Sequence, residues 1–177
     1  MSQGGTSVAL RDWHESDLQF LMRLRNDVPL QALLLATARG SDEQAVRAWL
    51  LKRTSGAGRL FRVIADVQSD APMGYLQADC LDETAGAWSF GICLDRPYQG
   101  SGNGSAALTA LEVLLAENHG AQSLQLEVGL ANERAIRCYT RLGYERNEAE
   151  PKRVVVCGET KEAIVMAKPL SMPGAHA

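Results

Sequence analysis

The spacing of apolar residues changes several times along the chain, from alternation to a three-and-four repeat and back. Val8 to Arg11 reads as a short strand. From Ser16 to Asn26, Leu18, Leu21, Met22 and Arg25 set a helical period, and Ser16-x-x-Gln19 has the form of a capping box. Ser41-x-x-Gln44 opens a second helix running to about Arg53, with Ala45, Val46, Trp49 and Leu50 facing inward. Thr54 to Gly58 is a turn. Leu60 to Asp66 and Met73 to Cys80 are predicted strands, separated by Ser69-Asp70-Ala71-Pro72. Asp82 to Gly86 then turns the chain into a further strand, Ala87 to Leu94.

The second half begins with a glycine run, Gln99-Gly100-Ser101-Gly102-Asn103-Gly104, and the spacing of Ala107, Leu108, Leu111, Leu114 and Leu115 predicts a helix over Ser105 to Asn118. Gly120 ends it. Leu124, Leu126 and Val128 alternate with Gln125 and Glu127, so the two faces of that strand differ. Asn132 is a good N-cap, Gly143 is a suitable C′ residue, and Ala135, Ile136, Tyr139 and Leu142 share one face of the helix between them. Tyr144 to Glu148, Arg153 to Cys157 and Ala163 to Lys168 supply two or three closing strands. Residues 1–7 and 171–177 read as flexible ends. No linker or internal repeat divides the chain, which predicts one domain over residues 1–177.

The glycine run stands where a strand becomes a helix, and the first N–H groups of a helix have no partner within it. Glycines at alternate positions allow positive φ and a close approach of main chain to ligand. Together with the positive end of the helix dipole they form a site for phosphate or pyrophosphate. Pro97 ends the preceding strand, and the Gln99 side-chain amide is a further donor to the same anion. A glycine-rich turn also serves simply to tighten a connection, so the run needs a second feature to acquire meaning.

Two common phosphate loops do not match it. A P-loop ends in Gly-Lys-Ser/Thr, whereas this run ends Gly104-Ser105 without a lysine. In a dinucleotide fingerprint Gly100 and Gly102 would be the first two glycines, but Ser105 occupies the third position. Glu127 also lies inside the next strand, not at its end.

Gln-Gly-x-Gly-x-Gly, a helix, a strand, and then Asn132-x-x-Ala135-x-x-x-Tyr139-x-x-x-Gly143-Tyr144 is an order that resembles the GNAT superfamily of N-acetyltransferases. The resemblance implies a mixed α/β (α+β) fold, with a mostly antiparallel central sheet of six to seven strands and about four flanking helices. It also implies that Gln99 to Gly104, leading into Ser105, wraps the pyrophosphate of acetyl-CoA. Backbone groups of Ile92, Cys93 and Leu94 would pair with the pantetheine arm, and Asn132 would lie along it. Tyr139 would protonate the departing thiolate. Leu10-Arg11-Asp12-Trp13, Asp17, Leu21, Arg25-Asn26-Asp27, Ser41 and Trp49 resemble the branch that acetylates ribosomal-protein N-termini and nucleotide amino sugars. In that branch the segment Val28 to Gly40 would line the acceptor side.

Composition narrows the partners. A chain of 177 residues, 46% of them hydrophobic, can bury a sizeable core. Its net charge of −3, with acidic and basic residues interspersed, gives no footprint for nucleic acid. Met1 to Ser7 lacks the apolar stretch of a signal peptide and no segment is long enough to span a bilayer, so a cytoplasmic protein is expected. Cys80, Cys93, Cys138 and Cys157 show no Cys-x-x-Cys pairing, and His14, His119 and His176 are scattered. Reduced thiols and no metal are expected. A homodimer is compatible with this size, although no residue marks an interface.

The chemistry requires a held thioester, a polarised carbonyl, a neutral amine and a proton for the thiolate. Backbone N–H groups near Ile92 to Leu94 can serve the carbonyl, and the phenol of Tyr139 is protonated at neutral pH. Cys93 or Cys138 as an acyl carrier lacks a histidine partner, so direct attack in a ternary complex is expected. The family often carries a glutamate where this chain has Ser89. Glu127 is the substitute base, with Asp79, Asp82 and Glu83 as further candidates. An α-amine of pKa ~7.9 is roughly 10% neutral at pH 7, against ~0.04% for a lysine amine. The missing glutamate therefore favours a protein N-terminus, an amino sugar or another small amine as acceptor. It equally leaves open a CoA-binding module without catalysis, a sensor or regulatory domain.

Overall fold

The computed structural model describes residues 7–171, so the ends expected to be flexible lie almost entirely outside the described residues. The first half comprises β1 (Val8–Arg11), α1 (Leu18–Asn26), α2 (Val28–Leu33), α3 (Glu43–Thr54), β2 (Arg59–Asp66), β3 (Pro72–Asp82) and β4 (Ala87–Leu94). The second comprises α4 (Asn103–His119), β5 (Ser123–Gly129), α5 (Glu133–Arg141), β6 (Glu145–Arg146), β7 (Lys152–Val156) and β8 (Glu159–Pro169). One mostly antiparallel sheet holds all eight strands in the order β1-β2-β3-β4-β5-β8-β6, with β7 also on β8. That is one strand and one helix more than the sequence predicts. The extra helix, α2, lies in the segment read as a loop, where Asp27 accepts from the Leu30 N–H at 3.0 Å and Pro29 occupies the first turn.

The other boundary corrections have similarly local causes. The stretch Glu15–Asp17 is a 3₁₀ turn in which the Asp17 carboxylate accepts from the His14 N–H at 2.7 Å, so the Ser16 box does not open α1. Asp42 caps α3 in place of Ser41, accepting from the Ala45 N–H at 2.8 Å. The helix after the glycine run begins at Asn103, two residues early, because Gly102 is its cap at φ 85°. Only Glu145–Arg146 of the predicted Tyr144 to Glu148 strand pairs with β8, whose remaining edge is taken by β7.

Alternation along the strands sends side chains to two cores, one on each face of the sheet. Leu76, Ala78, Trp88, Leu124 and Leu126 pack under Ala107, Leu108, Leu111 and Leu115 of α4, with Ile136 and Tyr139 of α5 against them. Phe61, Val63, Tyr75 and Cys93 face Leu21 and Leu24 of α1, Leu30 of α2, and Val46 and Leu50 of α3. Each leucine so buried contributes about 1.5–3 kcal/mol.

The one parallel pair decides where a ligand can enter. β4 and β5 pair only at Ala87–Ser123, Trp88–Leu124 and Ser89–Gln125. Beyond that point β4 stays with β3 as far as Leu94 and β5 stays with β8 as far as Gly129, so the two strands part. The closed end of this V is joined at Gly86, whose carbonyl accepts from the N–H groups of Gln122 at 2.8 Å and Ser123 at 3.2 Å. Gly86 has φ 61°, and a Cβ there would lie 2.9 Å from the Gly120 carbonyl oxygen.

Candidate active site

A cleft of about 840 Å³ occupies the gap between β4 and β5. Gly100, Arg134 and Tyr139 line it from the α4–α5 face of the sheet, and Arg25, Leu33 and Trp49 line it from the α1–α3 face. It therefore runs through the sheet. Along Phe90 to Leu94 alternate main-chain N–H and C=O groups that would reach β5 have no strand partner, which leaves all but the Leu94 carbonyl available to an extended ligand.

Main chain dominates the α4–α5 half. The turn Asp95 to Gln99 ahead of the glycine run is fixed by two ion pairs of opposite sense. Arg23 of α1 donates to Asp95 at 2.7 and 3.2 Å, while Arg96 donates to Asp27 at the junction of α1 and α2. These arginines hold both carboxyls below the usual range, and Arg96 brings Asp27 to about 2. Gln99 Nε2 donates to the Leu94 carbonyl at 2.9 Å, so its amide braces the loop against β4 instead of standing free for an anion. Asn103 is buried beneath the loop and donates to the Tyr98 carbonyl at 2.9 Å. With its side chain so placed, and with Ser101 exposed, neither lines the cleft, whereas Gly100, Gly102, Gly104 and Ser105 do.

The loop geometry fits a phosphate-bearing carrier. Gly102, in the left-handed region, points the first turn of α4 toward the cleft, and a Cβ on Gly100 would come within 3.0 Å of the Arg134 guanidinium. Arg134 thus adds a cation to the helix N-terminus, the combination that holds phosphates. Sequence reading passes over Arg134 because it is one of the variable positions between Asn132 and Ala135. It is recognisable only once α5 is laid beside the loop.

On α5, Asn132 Oδ1 accepts from the Ala135 N–H at 3.3 Å, which sets the start of the helix at the cleft. Two turns on, Tyr139 packs edge-on against Phe90 at 6.1 Å and Tyr144 at 6.0 Å. Burial raises its phenol to about 12, so the hydroxyl keeps its proton throughout the neutral range. Tyr144 is taken up structurally: it donates to Glu112 at 2.8 Å, and Lys168 holds the other oxygen of that carboxylate at 2.7 Å. Cys138 Sγ lies 3.5 Å from Ser105 Oγ.

Side chains dominate the other half. Trp49 stacks edge-on to Phe61 at 5.1 Å and Tyr75 at 5.3 Å, and the Arg25 guanidinium lies over its ring at 4.1 Å. Leu30, Leu33, Leu34 and Ala36 show that the segment after α1 does reach the cleft. Cys93 is buried, and desolvation raises its thiol to about 12, which removes it as a nucleophile at neutral pH.

No carboxylate in the cleft is free among the described residues. Glu127 lines it but accepts from Lys152 at 2.7 Å in a half-exposed pair. Asp79 is gripped by Arg53 through contacts of 2.8, 3.0 and 3.1 Å. Asp82 caps its turn through the Ala85 N–H at 2.9 Å, and neither it nor Glu83 lines the cleft. Ser89 is the last paired residue before the strands part. No group of three or more potential metal ligands comes together among the described residues, and none of their helices is long and apolar enough to cross a membrane.

A parted parallel pair, a glycine loop at a helix start and a protonated tyrosine meet in one cleft, an arrangement suited to a phosphate-bearing acyl carrier. The sequence matches the acetyltransferase (GNAT) family over residues 11–144, and the chain belongs to that family. It is therefore an acyl-CoA-dependent N-acyltransferase with acetyl-CoA as co-substrate. None of the curated proteins matches the sequence. Among solved structures, spermidine N-acetyltransferase from Vibrio cholerae in complex with CoA and spermine superposes with TM-score 0.84 at 16% identity, covering 93% of this chain and 96% of that one. A dodecameric form of the spermidine N-acetyltransferase from Vibrio cholerae gives 0.75 at 17% identity, covering 93% and 94%. A probable acetyltransferase gives 0.78 at 15%, covering 92% of each chain.

Proposed function

We propose that this protein, as a single acetyltransferase domain, moves the acetyl group of acetyl-CoA to a primary amine by direct attack in a ternary complex. The observation that carries this reading is the cleft through the sheet, with the glycine loop and Tyr139 on one face and an aromatic pocket on the other. When bound, the thioester supplies an activated acyl carbon. Gly100 to Gly104, the start of α4 and Arg134 would hold the pyrophosphate, and the open edge of Ile92 to Leu94, with Asn132, would align the pantetheine arm. Main-chain N–H groups of that edge would stabilise charge on the carbonyl oxygen. Tyr139 would give its proton to the thiolate.

The base is the smaller contribution. Glu127 is the nearest candidate, and its pair with Lys152 is exposed enough to open at a cost of about 0–1 kcal/mol. With the other cleft carboxylate held by Arg53, an amine that is partly neutral already suits the site best. A protein N-terminus, an amino sugar or another small amine meets that condition. The four unpaired cysteines support a reducing, cytoplasmic setting, and the oligomeric state is open to a homodimer.

The test is thiol release from acetyl-CoA over α-amine peptides, amino sugars, aminoglycosides, polyamines and lysine side chains. Thiol and acetylated amine should appear in equal amounts, fastest with the low-pKa amines. Tight CoA binding by calorimetry with no acetylation of any amine would instead make the protein a CoA sensor.

A further inference from the structure

Arg25 is the cation in the acceptor half of the cleft that the mechanism leaves unused. It projects from α1, lines the cleft and is half-buried, with its guanidinium over Trp49 at 4.1 Å. No carboxylate pairs with it among the described residues, and its Nε is enclosed without an acceptor. Burial pulls its pKa down, and the partial offset comes from the Tyr75 phenol, not from a carboxylate. Keeping an unpaired cation out of water is unfavourable unless a partner arrives. Arg53 also has an enclosed Nε, but it and Arg23 each have a carboxylate partner: Arg23 is matched by Asp95 and Arg53 by Asp79.

We infer that Arg25, lying over Trp49, is an anion-binding subsite, and that the acceptor is an amine carrying a carboxylate or phosphate in the same molecule. This rests on the acetyltransferase reading above and gives that reading a substrate class. Contact with an indole face restrains a guanidinium while its N–H groups can still make two-point contact with a planar or tetrahedral oxyanion. The same charge disfavours a polyamine, since the cleft carboxylates Asp79 and Glu127 are already neutralised by Arg53 and Lys152. The likeness to spermidine acetyltransferases therefore extends to the fold and not to this pocket.

The experiment compares amines that differ only in the anion: a dipeptide against its C-terminal amide, and glucosamine 6-phosphate against glucosamine. The anionic member of at least one pair should show kcat/KM higher by about tenfold, mostly through KM, and the responding pair identifies carboxylate or phosphate. Arg25→Gln should remove the preference and Arg25→Lys should restore part of it. Equal values within both pairs, a preference that survives Arg25→Gln, or spermidine as the best acceptor would overturn the inference. The wild-type comparison stands even if a variant misfolds. Tryptophan fluorescence, with Trp49→Phe as control, reads anion binding without turnover. An anion response with no transfer to any amine would defeat the transferase reading alone. Transfer to all amines alike without that response would defeat only the subsite.

Discussion

Main chain forms most of the half of the cleft proposed to hold the donor, with Arg134 and Tyr139 beside it, and side chains form the half proposed to hold the acceptor. In the first, Gly100, Gly102 and the open edge of β4 present backbone groups, and the supporting ion pairs Arg23–Asp95 and Arg96–Asp27 stand behind the loop. In the second, Arg25, Trp49 and Tyr75 come from α1, α3 and β3, and each meets the others only through the fold. A backbone site depends on where glycines and helix starts fall, so it reads as a spaced motif. A side-chain site can be rewritten residue by residue while the scaffold stays. The spermidine acetyltransferase shares the scaffold at 16% identity, a likeness of fold alone.

Removing the proposed proton donor should break the proposed donor half most severely. Tyr139→Phe is expected to lower kcat at least about tenfold, with CoA affinity by calorimetry unchanged; an unaltered kcat removes Tyr139 from the chemistry. Gly102→Val forces a branched side chain to φ 85°. It should cost about 1–2 kcal/mol, seen as a lower Tm and weaker CoA binding, with the ranking of acceptors preserved. Were that ranking to change, the two halves would not be separable. Arg134→Ala should weaken CoA roughly three- to tenfold, and the loss should shrink as salt is raised.

Acid probes the support behind the loop. Arg96 holds the Asp27 carboxyl at about 2 against an ordinary 3.8, so the folded state binds that proton less readily than the unfolded chain. The stabilisation is complete above pH 3.8 and is lost as pH falls through about 2. Hydrogen exchange at α2 and the Asp95 to Gln99 turn should rise over that window in the wild type and show no such step in Asp27→Asn. The smallest effect is expected of Glu127→Gln: less than about threefold on kcat/KM for a low-pKa amine at pH 8, growing as the pH is lowered. A loss of a hundredfold would make Glu127 an obligatory base.

The legibility of the sequence follows the same division. Strand alternation around Leu76, Ala78 and Trp88 and helical spacing around Leu108 and Leu111 place the main elements. The glycine run with Asn132 and Tyr139 marks the donor half. Errors fall where a single side chain chooses the boundary: Asp42 outcompetes Ser41 as a cap, and Asp27 starts α2 inside a predicted loop. Gln99 was a plausible anion donor by position, but the Leu94 carbonyl lies within its reach. Nothing local to Arg25 marks it as unpaired, since which groups surround it is decided by segments distant in the sequence, such as those of Trp49 and Tyr75.

The joint at Gly86 has a mechanical side. β4 and β5 pair over three residues and diverge thereafter, so the angle at which they leave the Gly86–Gln122 contact sets the width of the gap between them. A side chain at position 86 would press on the Gly120 carbonyl, and a change of that angle would alter the gap most at Ile92 to Leu94, where the acyl group is proposed to fit. The aperture for the reaction is thus gauged at a glycine that touches no part of it.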